Sequence, residues 1–133
     1  TVEVTEAEKK EALNRVDQRD REVIALAARR IESYHRHQAA SGYVLSDEPG
    51  VEIGQRLLPL QRAGIYAPGG TAFYPSTLLM AAIPARIAGV GEIVLVSPVK
   101  DGRLNPLIAA AADIAGVHRI FKIGGAQAIA ALA

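Results

Sequence analysis

The chain contains no cysteine, which excludes a disulfide scaffold and a thiolate metal site. It has almost no net charge: fifteen basic residues against fourteen acidic ones give a formal +1. A nucleic-acid surface or an acidic membrane calls for a larger excess of cations, so neither is expected as a partner. No apolar run reaches the ~18 residues that span a bilayer. The most apolar stretch, residues 63–97, is interrupted by Gly64, Pro68, Gly69, Gly70, Pro75, Pro84, Gly89 and Gly91. The first eleven residues carry Glu3, Glu6, Glu8, Lys9, Lys10 and Glu11 where a secretory leader would be apolar. A soluble, cytoplasmic protein is expected.

What is present is enough for a core. The chain has 133 residues, half of them hydrophobic, which argues against disorder and for one domain or a domain with an appendage. Charge is distributed unevenly. Residues 1–41 hold sixteen charged positions, whereas residues 63–97 hold only Arg86 and Glu92. The first region therefore reads as surface helices and the second as interior. The chain opens on Thr1 and closes on AQAIAALA with no helix stop, so a piece of a longer protein is expected.

Periodicity predicts a short helix over Glu6–Val16 and a long one over Asp17–Gln38. The long helix has Ile24, Ala27, Ala28, Ile31, Tyr34 and Gln38 on one face and Asp17 as its cap. Ser46–Gly50 reads as a turn cluster and Val51–Leu60 as a strand or ribbon. Strands follow at Arg62–Ala67, Glu92–Val96 and Arg119–Ile123. Helices are predicted at Pro75–Ala88, where Pro84 should kink or shorten the element, at Asn105–Ala115, and after Gly124-Gly125. Strand and helix alternate, and the strands are continuously apolar. That is the pattern of a parallel sheet covered on both faces, an α/β fold.

Two glycine loops stand where strands give way to helices. The first, APGGTAFYPST, runs from Ala67 to Thr77. It is neither a G-x-G-x-x-G fingerprint nor a P-loop, since the third glycine and a GK[ST] are missing. A tight turn and a phosphate-binding turn both remain open for it. The second, KIGGAQAIA, runs from Lys122 to Ala130 and places Gln127 in the first turn of a helix. In a parallel sheet both loops leave the carboxyl edge, where ligands of open α/β sheets bind. Tyr66 ends the first of these strands beside Gly69 and Gly70, either as a packing aromatic or as a flat face for a ligand ring.

Other polar residues read as structural. His35 and His37 are two apart on a helix and point about 200° apart, so they cannot share a metal. His118 precedes a strand, and Arg86 suits a surface salt bridge. No Ser-His-Asp or Cys-His arrangement, zinc-ligand spacing or paired-carboxylate site can be recognised.

Together, RAGIYAPGGTAFYPSTLLMAAIPARIAGVGEIVLVSPV and NPLIAAAADIAGVHRIFKIGGAQAIAALA closely resemble the histidinol dehydrogenase family. The resemblance covers residues 54–133 and extends more weakly through the preceding helices. Its PGG loop, YPST helix start, PARIAGV segment and GGAQAIAAL loop come in the family's order and spacing. It implies a Rossmann-like parallel sheet with flanking helices, preceded by N-terminal helices: a helical segment over 1–50 and a truncated nucleotide-binding region over 51–133, an incomplete domain. It implies an NAD-dependent zinc enzyme, a homodimer, that oxidises L-histidinol to L-histidine through an aldehyde-level intermediate. By motif, the cofactor contacts fall on Tyr66 and Gln127, with Gly69 and Gly70 leaving room for phosphates. The zinc ligands and catalytic residues are expected outside this segment, which alone should be inactive. A related dehydrogenase of another polar alcohol and a non-catalytic nucleotide-binding or assembly module remain the alternatives.

Overall fold

Local start and stop signals set the helices. Thr5 opens α1 (Glu6–Asn14) with a capping box: the Glu8 amide donates to Thr5 Oγ1 at 3.2 Å, and the Thr5 amide donates to Glu8 Oε2 at 2.8 Å. Asp17 caps α2 (Gln18–Arg36) by accepting from the Arg19 amide at 2.7 Å. Such a cap is worth about 1 kcal/mol. The computed structural model describes residues 1–69 and 72–133. After the two helices come β1 (Tyr43–Glu48), β2 (Val51–Gln55) and β3 (Arg62–Tyr66), then α3 (Pro75–Ile87), β4 (Glu92–Val96), α4 (Pro106–Ala115), β5 (Arg119–Phe121) and α5 (Ala126–Leu132). Asn105 caps α4 through the Leu107 and Ile108 amides, and Gly116, at φ 79°, ends it in the left-handed conformation.

Three expectations need correction. Residues 46–50 are not one turn cluster, because Tyr43–Glu48 is a strand and the hairpin turns at Pro49-Gly50. Leu45 and Glu48 pair with β2 on either side of a register irregularity, and this keeps Ser46 and Asp47 in the strand against their weak strand preference. Tyr34 does not face inward but is 65% exposed. His35, three turns on from Ile24, continues the Ile24–Ala28–Ile31 line, and Tyr34 lies a residue's rotation away from it. The third strand ends at Phe121, two residues early. Pro84 removes one internal hydrogen bond, yet α3 runs on to Ile87.

β3, β4 and β5 form a parallel sheet in that order, with Tyr66 opposite Val96 and Val96 opposite Phe121. Successive side chains alternate between its faces. One face sends Ile65, Ile93, Leu95 and Ile120 into a core completed by Leu78, Leu79 and Ile83 of α3 and Ile108 of α4. Burying each such side chain is worth about 1.5–3 kcal/mol. Ala109, Ala110, Ala111 and Ala112 are all buried, and their small size lets α4 pack against α1, α2 and α3 at once. Ala12, Ile24 and Ala28 bring the N-terminal helices into the same core.

The opposite face differs. Val94, Val96 and Ala128 are buried but stand apart from that core. Among the described residues, the helix found there is α5, lying over β3: a Cβ on Gly64 would come within 2.7 Å of a Leu132 methyl. A cleft of about 500 Å³ opens beside it over Arg62, Val94, Arg119 and Phe121. Residues 2–4 run along the outer edge of β5, where the Val4 amide donates to the Ile120 carbonyl and the Lys122 amide to the Val2 carbonyl. The β1–β2 hairpin is exposed along its whole length.

Candidate functional site

The sheet is parallel, so the loops after β3, β4 and β5 all emerge at one edge. The ladder continues a residue past each of the first two strands: the Ala67 amide donates to the Val96 carbonyl at 3.1 Å, and the Ser97 amide donates to the Phe121 carbonyl at 3.1 Å. This pins the start of each loop to its neighbour. Gly69 is then buried, and a Cβ there would lie 2.5 Å from the Pro98 carbonyl oxygen and closer still to the Ser97 hydroxyl. Its lack of a side chain is thus required by the loop after β4. Gly70 and Thr71 fall outside the described residues. Tyr74 caps α3 without a side-chain hydrogen bond, and Pro75 occupies its first turn.

The loop after β5 returns toward Tyr66. Gly125 adopts φ 78°, a backbone that favours glycine, and its amide donates to the Tyr66 hydroxyl at 3.4 Å. Gln127 is exposed and folds its amide back over Gly125, where a Cβ would lie 2.8 Å from Gln127 Oε1. Tyr66 and Gln127, sixty-one positions apart, therefore meet through Gly125 at the carboxyl edge. Tyr66 is half-buried and presents a ring with a hydroxyl, and Gln127 presents a donor and an acceptor.

Sequence reasoning missed Ser97 and Pro98. Ser97 is the one buried polar residue among the described residues. The signal was the Ser-Pro pair directly after EIVLV, at the end of the middle strand.

The remaining polar groups are occupied elsewhere. His35 Nδ1 lies 2.6 Å from Gln38 Oε1, and His37 Nδ1 lies 2.8 Å from the Ser33 carbonyl. His118 Nδ1 accepts from the Ile93 amide at 3.0 Å, which ties β5 to β4 and puts the ring proton on Nε2. Arg86 pairs with Glu32 at 3.3 Å, the surface salt bridge that its sequence context suggested. Lys122 pairs with Glu8, and this hydrogen bond, followed by that from the Thr5 amide, holds the Glu8 carboxyl down at about 2. Arg119 bridges Glu3 at 2.8 Å; the bond lowers the Glu3 carboxyl and raises the guanidinium. Among the described residues no group of three or more His, Asp or Glu side chains could hold a metal, so these residues do not fit a zinc site.

A family model described as histidinol dehydrogenase matches residues 1–133. The chain belongs to the histidinol dehydrogenase family. It is 52% identical over 123 residues to the histidinol dehydrogenase of Lactiplantibacillus plantarum, covering 92% of this chain and 29% of that protein. With the histidinol dehydrogenase of Syntrophotalea carbinolica it shares 52% over 132 residues, covering 99% of this chain and 31% of the other. The fold matches the crystal structure of histidinol dehydrogenase from Elizabethkingia anophelis with a TM-score of 0.90 at 36% identity, over 98% of this chain and 30% of that one. The chain thus spans about three-tenths of the length of these relatives, and within that span it is similar to each nearly end to end.

Proposed function

We propose that this chain forms part of the NAD-binding surface of a histidinol dehydrogenase, and that the intact protein oxidises L-histidinol to L-histidine. The observation that carries the reading is the meeting of Tyr66 and Gln127 across Gly125 at the carboxyl edge. Crevices at that edge are the ligand sites of open α/β sheets. The balance is L-histidinol, two NAD⁺ and one water giving L-histidine, two NADH and three protons. NAD, when bound, accepts the hydrides. Tyr66 offers its ring face and hydroxyl to the adenosine or ribose portion, and Gln127 fixes that portion through its amide. The loop that carries Gly69 and Gly70 would leave room for the phosphates in this reading, Gly69 by letting it pack closely on Ser97 and Pro98. The protein is a zinc-dependent homodimer of the cytoplasm in this reading, with zinc ligands and catalytic groups supplied by residues other than these.

The test uses the full-length protein. It should form NADH when given histidinol, and a chelator should abolish this. Turnover with a different polar alcohol, and none with histidinol, would move the protein to a sister activity. Gln127→Ala should weaken NAD about three- to tenfold, the loss of one hydrogen bond, with zinc content unchanged. Gly70→Val should weaken it further. Parental NAD affinity in both variants would reduce the two loops to turns.

A further inference from the structure

Three loops leave the carboxyl edge, and the middle one touches both of the others. Pro98 directly follows Ser97, whose amide is held by the Phe121 carbonyl, so its place at the end of β4 is fixed by the sheet. On one side its carbonyl crowds Gly69: a Cβ there would stand 2.5 Å from the Pro98 oxygen. On the other side its ring crowds Gly124: a Cβ there would stand 2.9 Å from Pro98 Cβ and nearer still to Cγ. Real Cβ atoms do not approach that closely, so both neighbours are glycine at the point where they meet the same proline. Proline has a locked φ and no amide hydrogen, which makes it a stiff spacer rather than a partner in the ladder. Tyr66 lies three residues before Gly69, and Gln127 three residues after Gly124. The hydrogen bond from the Gly125 amide to the Tyr66 hydroxyl closes the circuit around Pro98 at 3.4 Å.

We propose that Pro98 is a positioning residue for the cofactor: by separating the Gly69 and Gly124 loops it sets the spacing at which Tyr66 and Gln127 meet the ligand. The proposal rests on the NAD reading of these loops given above. It does not require Pro98 to touch NAD. Contacts that hold two binding groups at a set separation act on affinity, since a misplaced group forfeits its interaction even when it is intact.

The experiment is steady-state kinetics on the full-length enzyme, varying NAD and histidinol separately, with the thermal midpoint measured for each variant. Pro98→Ala removes the ring and should raise KM for NAD about three- to tenfold while kcat and KM for histidinol stay within about twofold. Pro98→Val, which restores bulk toward Gly124, should return KM for NAD to within about twofold of the parent. Gly124→Ala pushes a methyl against the ring and should also raise KM for NAD. Pro98→Ala/Gly124→Ala removes the nearest contact, with Cγ, and keeps only that with Cβ at 2.9 Å, so the double variant should bind NAD better than Gly124→Ala alone. Parental KM for NAD in Pro98→Ala overturns the proposal, as does additive damage in the double variant. If Pro98→Ala is too unstable to assay, Gly124→Ala decides, and parental KM for NAD there overturns it equally. Gln127→Ala separates the two levels. An NAD defect in Gln127→Ala with none in Pro98→Ala removes this inference and leaves the cofactor reading standing, whereas parental behaviour in both removes both.

Discussion

The two faces of the parallel sheet are built from the same three strands and have different surroundings. One face is sealed by α3 and α4, with α1 and α2 behind them, and its side chains are aliphatic. The other carries α5 over β3 and is otherwise lined by Arg62, Arg119 and Phe121 among its valines, with Glu92 opposite Arg62 in the register. Ion pairs run across that second face: Arg62 with Glu92, Arg119 with Glu3, and more distantly Arg119 with Glu92 at 3.9 Å. The Arg119 guanidinium also lies 4.9 Å from the Phe121 ring centroid. Hydrophobic burial holds the first face, while the second combines the buried Val94, Val96 and Ala128 with partly solvated pairs that contribute little each. Strand alternation alone decides which residue meets which environment.

That contrast can be broken most directly by deletion. Leu95→Ala, on the sealed face, should cost about 2–5 kcal/mol, because a fully enclosed site cannot collapse around the lost atoms. Phe121→Ala, on the other face, removes a larger side chain yet should cost less than about 2 kcal/mol in the 133-residue chain, since the ring is only half-buried. Urea unfolding of both variants measures the difference. Equal costs would mean that the second face is as tightly held as the first.

A subtler change sharpens the picture at α5. Gly64→Ala would set a methyl 2.7 Å from the Leu132 side chain. Leu132 can shift, so the expected loss is about 1 kcal/mol, and Gly64→Ala/Leu132→Ala should recover the part due to crowding. A double variant no better than the sum of the two would show that α5 does not rest on Gly64.

The smallest effect concerns the ion pair that fastens α1 to the end of β5. The Lys122 ammonium, with the Thr5 amide, holds the Glu8 carboxyl at about 2 against its ordinary value of 4.5. A lowered carboxylate contributes its stability fully above the unfolded value and loses it as pH falls toward the folded one. The thermal midpoint should therefore decline between pH 4.5 and about 2, and Glu8→Gln should make that decline shallower. An unchanged slope in Glu8→Gln would assign the acid sensitivity to the other paired carboxylates, Glu3 and Glu32.

Much of this was legible from residue order. EIVLV and RAGIY read as strands because they are short, apolar and bounded by glycine or proline, and Asn105, Pro106 and Gly116 marked both ends of α4. That the Tyr66 and Gln127 loops emerge at the same edge was also foreseeable, since a parallel sheet sends both there. The β1 strand was not, because Ser46 and Asp47 favour turns and are kept in a strand only by the pairing of their neighbours with β2. The place of Pro98 was hidden for a related reason. Its two glycine neighbours lie twenty-nine positions before it and twenty-six after it, and only the strand order β3–β4–β5 brings them to it.

The segment along β5 bears on which way this sheet can grow. Residues 2–4 occupy the hydrogen-bonding groups on that side, so among the described residues the unclaimed flank is that of β3. A further strand would find the open edge of β3 next to Arg62–Tyr66. α5 packs over β3, across the sheet from α3 and α4. Winding would thus reverse at the seam beside β3, with connections fanning one way from one side and the opposite way from the other. Diverging connections leave a gap between them at the carboxyl edge, the edge at which Tyr66 ends β3.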